Sequence, residues 1–96
     1  MTPDQILDKY PQLGKITPEV ISKVVLELTG EICNFNKTFA EMGIDDLDSV
    51  EMVMNIELRL NIAIPDDVAE YLFFPNVKPP TFIQLIRDRK IDVILS

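Results

Sequence analysis

The sequence contains no histidine and no tryptophan, and Cys33 is its one cysteine among 96 residues. Without histidine there is no imidazole for acid–base catalysis, and a lone cysteine can form neither an intrachain disulfide nor a structural zinc site. We therefore expect no metal site, no catalytic residue and a reducing, cytoplasmic location.

Long hydrophobic runs are also missing. The longest apolar runs are a few residues long, well short of the ~20 residues that a membrane helix needs, and the N-terminus has no signal-peptide pattern. We expect neither membrane insertion nor secretion.

Positive charge is scarce, with nine Lys and Arg against sixteen Asp and Glu and a net charge of −7. This charge repels nucleic acid phosphates and anionic lipid surfaces. The natural complement is a protein partner with a basic patch.

What the sequence does contain is the composition of one small globular domain, which we expect to span residues 1–96 as a monomer. Hydrophobic residues make up 47% and charged residues 26%. The first clear helix has Thr17 as a possible cap, Pro18 at its start and Gly30 as its stop. Its apolar stripe comprises Val20, Ile21, Val24, Val25 and Leu28.

An acidic helix is predicted in the stretch "EMGIDDLDSVEMVMNIE", from about Asp46 to Leu60. Its N-cap is Asp45, Asp46 or Asp48, and Asp48 with Glu51 also fits a capping box. One apolar row recurs at helical spacing, comprising Leu47, Val50, Val53, Met54 and Leu58. We expect this row to face the core.

Weaker signals complete the prediction. At the N-terminus we expect a short helical turn followed by a loop. A long loop, held against the core by Phe35 and Phe39, follows the first helix, and a short helix starts near Pro65. A last helix is predicted through Phe82, Leu85 and Ile86.

Together these elements predict an all-α fold, a small four-helix bundle with one long loop between helices one and two. Helix one here is the helix that starts near Pro18. The predicted core comprises Leu47, Val50, Val53, Met54, Leu58, Val24, Leu28, Phe39 and Ile86.

Residues Met42–Glu70 resemble the acyl carrier proteins. The family pattern runs "LGxDSLDxVELVMxLExxFxxxIPDxxAE", and here the chain reads "MGIDDLDSVEMVMNIELRLNIAIPDDVAE" without a gap. Matching positions include Gly43, Asp45, Leu47, Asp48, Val50, Glu51, Val53, Met54, Glu57, Ile64, Pro65, Asp66, Ala69 and Glu70. The resemblance covers about a third of the chain and implies a carrier fold.

One position departs from that pattern. In the family, the serine of the "DSL" motif carries the 4′-phosphopantetheine arm whose thiol holds the acyl chain, and the matching residue here is Asp46. A carboxylate cannot replace the hydroxyl that attacks coenzyme A, so the resemblance implies an unmodified Asp46 and no cofactor on this chain. Ser49 falls on a variable position one turn later and is the alternative attachment residue.

The resemblance also implies a function without catalysis. We expect a module of fatty-acid or polyketide-type acyl metabolism that docks on enzymes with basic patches through its acidic helix. The predicted partner-binding residues are Asp45, Asp48, Glu51, Glu57, Val50 and Met54. Asp66 and Asp67 have no neighbour in sequence to tune them for acid–base work, so we interpret them as a helix start.

Two alternatives stay open from the sequence. The chain is a working carrier with 4′-phosphopantetheine if serine is the native residue at position 46 or if Ser49 is used instead. The other alternative is a structural subunit that fills an interface in a larger complex.

Overall fold

The computed structural model of the chain describes residues 2–81. Four α-helices follow one another: α1 (Pro3–Lys9), α2 (Pro18–Thr29), α3 (Asp46–Leu60) and α4 (Asp66–Phe73), with short 3₁₀ helices at Pro11–Lys15 and Ala40–Met42. The described residues contain no strand, so the predicted all-α class is confirmed. The helix predicted through Phe82, Leu85 and Ile86 lies outside the described residues.

Helix α2 has the ends that its sequence predicts. The Thr17 hydroxyl accepts a hydrogen bond from the Val20 N–H at 3.2 Å, and Pro18 is the first helical residue. Gly30 ends the helix with φ +76°, a left-handed conformation that glycine adopts at little cost.

The long loop after α2 is held against the core, as predicted. Phe39 is fully buried and its ring lies 6.4 Å from that of Phe73 in α4. The Phe39 and Ala40 N–H groups donate to the carbonyls of Val77 and Pro75. The loop is thereby tied to the segment that follows α4.

The N-terminal segment, residues 2–16, contributes more than the predicted helical turn and loop. Its side chains Ile6, Leu7, Leu13 and Ile16 are all buried in the core. The Gln12 side-chain amide donates to the Ala63 carbonyl at 3.0 Å, which ties the segment to the α3–α4 connection. The four described helices therefore include this N-terminal helix, whereas the four predicted helices begin with the one near Pro18.

Helix α3 spans Asp46–Leu60, as predicted, but most of the residues predicted to be its core face lie on the surface. Leu47 is 77% exposed and Leu58 83%, and Val50 and Met54 are about half exposed. We call these four residues the apolar row. Only Val53 of the predicted stripe is buried.

The inward face of α3 is formed instead by Ser49, Met52, Val53 and Ile56. This face packs against the neighbouring helices α2 and α4. The two sets of residues lie on roughly opposite sides of the helix at 100° per residue, so periodicity alone could not distinguish them. Elsewhere Val24 and Phe39 are buried as predicted, Leu28 is partly buried, and Ile86 lies outside the described residues.

None of the helices in residues 2–81 is long and apolar enough to cross a membrane.

Candidate functional site

The start of α3 is built by two carboxylates that cap each other's backbone. Asp45 is the N-cap, and its carboxylate accepts the Asp48 N–H at 2.8 Å. The Asp48 carboxylate accepts the Asp45 N–H at 3.2 Å, which completes a capping box. Both predicted docking residues thus have a structural role at the helix start.

Asp46 is the first residue of α3 and its side chain is exposed. It lines an open depression of about 490 Å³ together with Ala40, Gly43, Ile44, Asp45 and Pro75. Gly43 has φ +88°, which turns the chain into α3 beside this depression. Position 46 is therefore accessible to another protein.

Ser49 lies on the inward side of α3. Its side chain is 0% exposed, and its Oγ has no hydrogen-bond partner within the described part of the chain. Three residues along a helix correspond to a turn of about 300°, which leaves the two side chains about 60° apart around the axis, and to a rise of about 4.5 Å. Asp46 at the helix start is in solvent, whereas Ser49, one turn further along, is in the core.

Acidic residues accompany the apolar row on the outer face of α3. Glu51 is exposed beside the row, while Glu57 is half-buried and accepts the Ile64 N–H at 2.9 Å. An apolar patch bordered by carboxylates has the composition of a protein-binding surface.

A groove of about 320 Å³ runs between α3 and α4 beside the apolar row. Nine residues line this α3–α4 groove: Val50, Val53, Met54, Glu57, Ile64, Asp66, Ala69, Glu70 and Phe74. The structure thus brings together three predicted docking residues, Val50, Met54 and Glu57, with a contribution from α4.

The other side of α3 carries a cation that is already paired. Arg59 donates to the Glu27 carboxylate of α2 and to the Asn55 side chain. The hydrogen bond from Arg59, with a second from Asn55, lowers the pKa of the Glu27 carboxyl below its ordinary 4.5. This contact joins α2 to α3 away from the α3–α4 groove.

Metal binding and thiol chemistry have no support in the described part of the chain. Residues 2–81 contain no cluster of three or more metal-ligating side chains. Cys33 is buried, and burial raises the pKa of its thiol, which disfavours the reactive thiolate.

Helix α4 contributes to this surface, which the sequence did not predict. Glu70 and Phe74 line the groove, and Asp66, interpreted as a helix start, does so as well. No signal in the sequence shows this contribution, because both sides of α3 carry apolar residues and the side that meets α4 is decided by packing.

Residues 19–76 match a protein family described as the phosphopantetheine attachment site. The acyl carrier proteins of two Porphyromonas gingivalis strains, ATCC 33277 and W83, are each 34% identical to the chain over 61 residues. The matched region covers 60% of this chain and 78% of each relative. No solved structure shows a significant match to the chain. The family match covers more than half of the chain, so this protein belongs to the phosphopantetheine attachment site family, that of the acyl carrier proteins.

Proposed function

We propose that this chain is an acyl-carrier-family module that carries no phosphopantetheine arm and acts by docking on enzymes of acyl-chain metabolism. Docking uses the outer face of α3, with Glu51 and Glu57 as charged residues and Val50 and Met54 as apolar ones. The module itself catalyses no reaction.

The proposal rests on two side chains at the start of α3, those of Asp46 and Ser49. The family attaches its arm to a serine hydroxyl, and the exposed residue at the matching position is Asp46. The residues present do not fit the group, because a carboxylate supplies no hydroxyl to form the phosphodiester. The nearby hydroxyl of Ser49 is buried, so it is out of reach of a modifying enzyme while the helix is folded.

Docking is supported by the combination of charge and exposed apolar area. The chain carries a net charge of −7, and the apolar row on α3 is flanked by the exposed carboxylates of Asp46 and Glu51. Basic partner surfaces are attracted over distance by the charge, and the apolar row supplies contact area after encounter. Four exposed apolar side chains on one helix face are not expected on a surface that contacts only water.

The test measures association with an enzyme that recognises carrier proteins, a broad-specificity phosphopantetheinyl transferase. Glu51→Lys should slow association by about tenfold at low salt, with a smaller effect as salt screens the charges. Glu51 is preferable to Asp48 as a target, because Asp48 also belongs to the capping box. The matched control is Glu31→Lys, which changes the net charge equally at an exposed residue of the α2–α3 loop.

Equal slowing by both substitutions would show that net charge alone attracts the partner. Unchanged association in Glu51→Lys would move the interface away from α3. Either result would overturn docking through this face.

A further inference from the structure

The carboxylate of Asp46 takes no part in building the start of α3. Asp45 and Asp48 supply the capping box, each accepting the backbone N–H of the other. Asp46 is exposed at the first position of the helix, and its side chain forms no hydrogen bond or ion pair with any residue in the range 2–81. Its negative charge is therefore available to another molecule.

The surroundings of Asp46 leave this charge uncompensated. None of the six residues that line the open depression beside it is basic. One wall of the depression is held in place, because the Ala40 N–H donates to the Pro75 carbonyl at 2.7 Å. The chain thus presents a single accessible carboxylate on a fixed surface, at the position where the family attaches its arm.

That carboxylate resembles the group by which the arm is attached. A phosphodiester on a serine carries one negative charge, as does an aspartate at neutral pH. The two groups differ in reach, since the free oxygens of a serine phosphodiester lie one bond further from Cβ than the oxygens of aspartate. Glutamate has the same number of bonds between Cβ and its oxygens as the phosphodiester has.

We propose that this chain is a competitive regulator of enzymes that act on arm-bearing carriers, with the Asp46 carboxylate in place of the phosphodiester charge. The inference rests on the docking function proposed above and adds its regulatory outcome. Because no arm presents a thiol, an enzyme that binds this chain forms no product and is withheld from working carriers. The group on the enzyme that fits Asp46 is a Lys or Arg that contacts the phosphodiester of the arm.

A local role for Asp46 makes a different prediction. A carboxylate in the first turn of a helix interacts favourably with the positive end of the helix dipole. That interaction affects the stability of this chain and leaves its competition with other carriers unchanged. Inhibition measured together with stability therefore separates the two roles.

The experiment measures inhibition of a ligase that uses ATP to join a fatty acid to the thiol of an arm-bearing acyl carrier protein. The full chain is added at increasing concentrations, and the rate is followed at several concentrations of the working carrier. We expect inhibition that is relieved as the working carrier is raised, which is the pattern of competition for one site. The chain itself should receive no fatty acid.

Three variants test the charge at position 46. Asp46→Asn keeps the shape of the side chain and removes its charge, so the inhibition constant should rise about tenfold. Asp46→Glu should inhibit at least as strongly as the unmodified sequence, because its oxygens reach as far as those of the phosphodiester. The matched control Asp4→Asn makes the same change of net charge, from −7 to −6, at an exposed carboxylate in the first turn of α1. It should leave the inhibition constant unchanged, and thermal melts should show all variants folded.

Absence of inhibition by the unmodified sequence, or inhibition that the working carrier does not relieve, would overturn the regulatory role. An equal inhibition constant for Asp46→Asn would overturn the part assigned to Asp46. These results are distinct from failure of the proposed function. If Glu51→Lys weakened inhibition while Asp46→Asn did not, docking through α3 would stand and only the replacement of the phosphodiester charge would be wrong.

Discussion

The two faces of α3 have similar hydrophobicity and opposite surroundings. Met52 and Ile56 on the inward face are completely buried, whereas Leu47 and Leu58 on the outer face are more than three-quarters exposed. Burial of the inward face stabilises the fold, while the outer face leaves apolar area in water at a cost in solubility. The inward face therefore contributes to folding, and the outer face is the one that the proposed docking would use.

The largest expected effect compares one residue from each face. Ile56→Ala should lower the free energy of unfolding by about 2–5 kcal/mol, because it removes buried methyl groups and leaves a cavity. Leu58→Ala should change it by less than about 0.5 kcal/mol, because an exposed side chain contributes little to the free energy of unfolding. Chemical denaturation of both variants measures the contrast, and similar losses would mean that α3 is oriented differently.

The start of the helix, where both faces begin, supplies a second comparison. Asp45→Ala removes the N-cap side chain and half of the capping box, so we expect a loss of about 1 kcal/mol in unfolding free energy. Asp46→Ala leaves the box intact and should cost only a few tenths of a kcal/mol through the helix dipole. If urea denaturation showed a larger loss of stability in Asp46→Ala than in Asp45→Ala, the assignment of Asp45 as the N-cap would be wrong.

Ser49 is the polar exception on the inward face. Since its hydroxyl is buried without a hydrogen-bond partner in the described structure, Ser49→Ala should leave stability unchanged or raise it by up to about 1 kcal/mol. Ser49→Thr serves as the control because it keeps the hydroxyl and adds volume, which should destabilise the chain. A clear loss of stability in Ser49→Ala would reveal a hydrogen bond to the hydroxyl.

The smallest expected effect concerns the edge of α3 that meets α2. Arg59 lowers the pKa of Glu27, so the pair stabilises the fold above the ordinary carboxyl pKa of 4.5, and this contribution is lost as pH falls through the lowered value. Glu27→Gln should therefore lower the melting temperature slightly at neutral pH, and this deficit should shrink as the pH falls below 4.5. A deficit that does not shrink in acid would rule out the ion pair as its cause.

Local signals predicted most of the helix boundaries. Thr17 and Gly30 delimit α2, and α3 spans the predicted Asp46–Leu60, because caps and helix stops depend on neighbouring residues. The orientation of α3 was not predictable in the same way. Both of its sides carry apolar residues, and which side is buried depends on where α2 and α4 pack.

The candidate site shows the same contrast between what local sequence determines and what only the packed fold determines. Asp46 could be placed by its spacing from Gly43 and Pro65, and the structure finds it exposed at the start of α3. The α3–α4 groove could not be predicted, since Val53 and Ala69 are sixteen residues apart in sequence and meet only after folding. The core contribution of residues 2–16 was missed because their apolar residues are few and are interrupted by Pro11 and Gly14.

Mass spectrometry after incubation with coenzyme A, magnesium and a broad-specificity phosphopantetheinyl transferase distinguishes a carrier-family module without an arm from a working carrier. The unmodified sequence should gain no mass, Asp46→Ser should gain one phosphopantetheine, and Ser49→Ala should behave like the unmodified sequence. A phosphopantetheine on the unmodified sequence that disappears in Ser49→Ala would contradict the account and make this protein a working carrier.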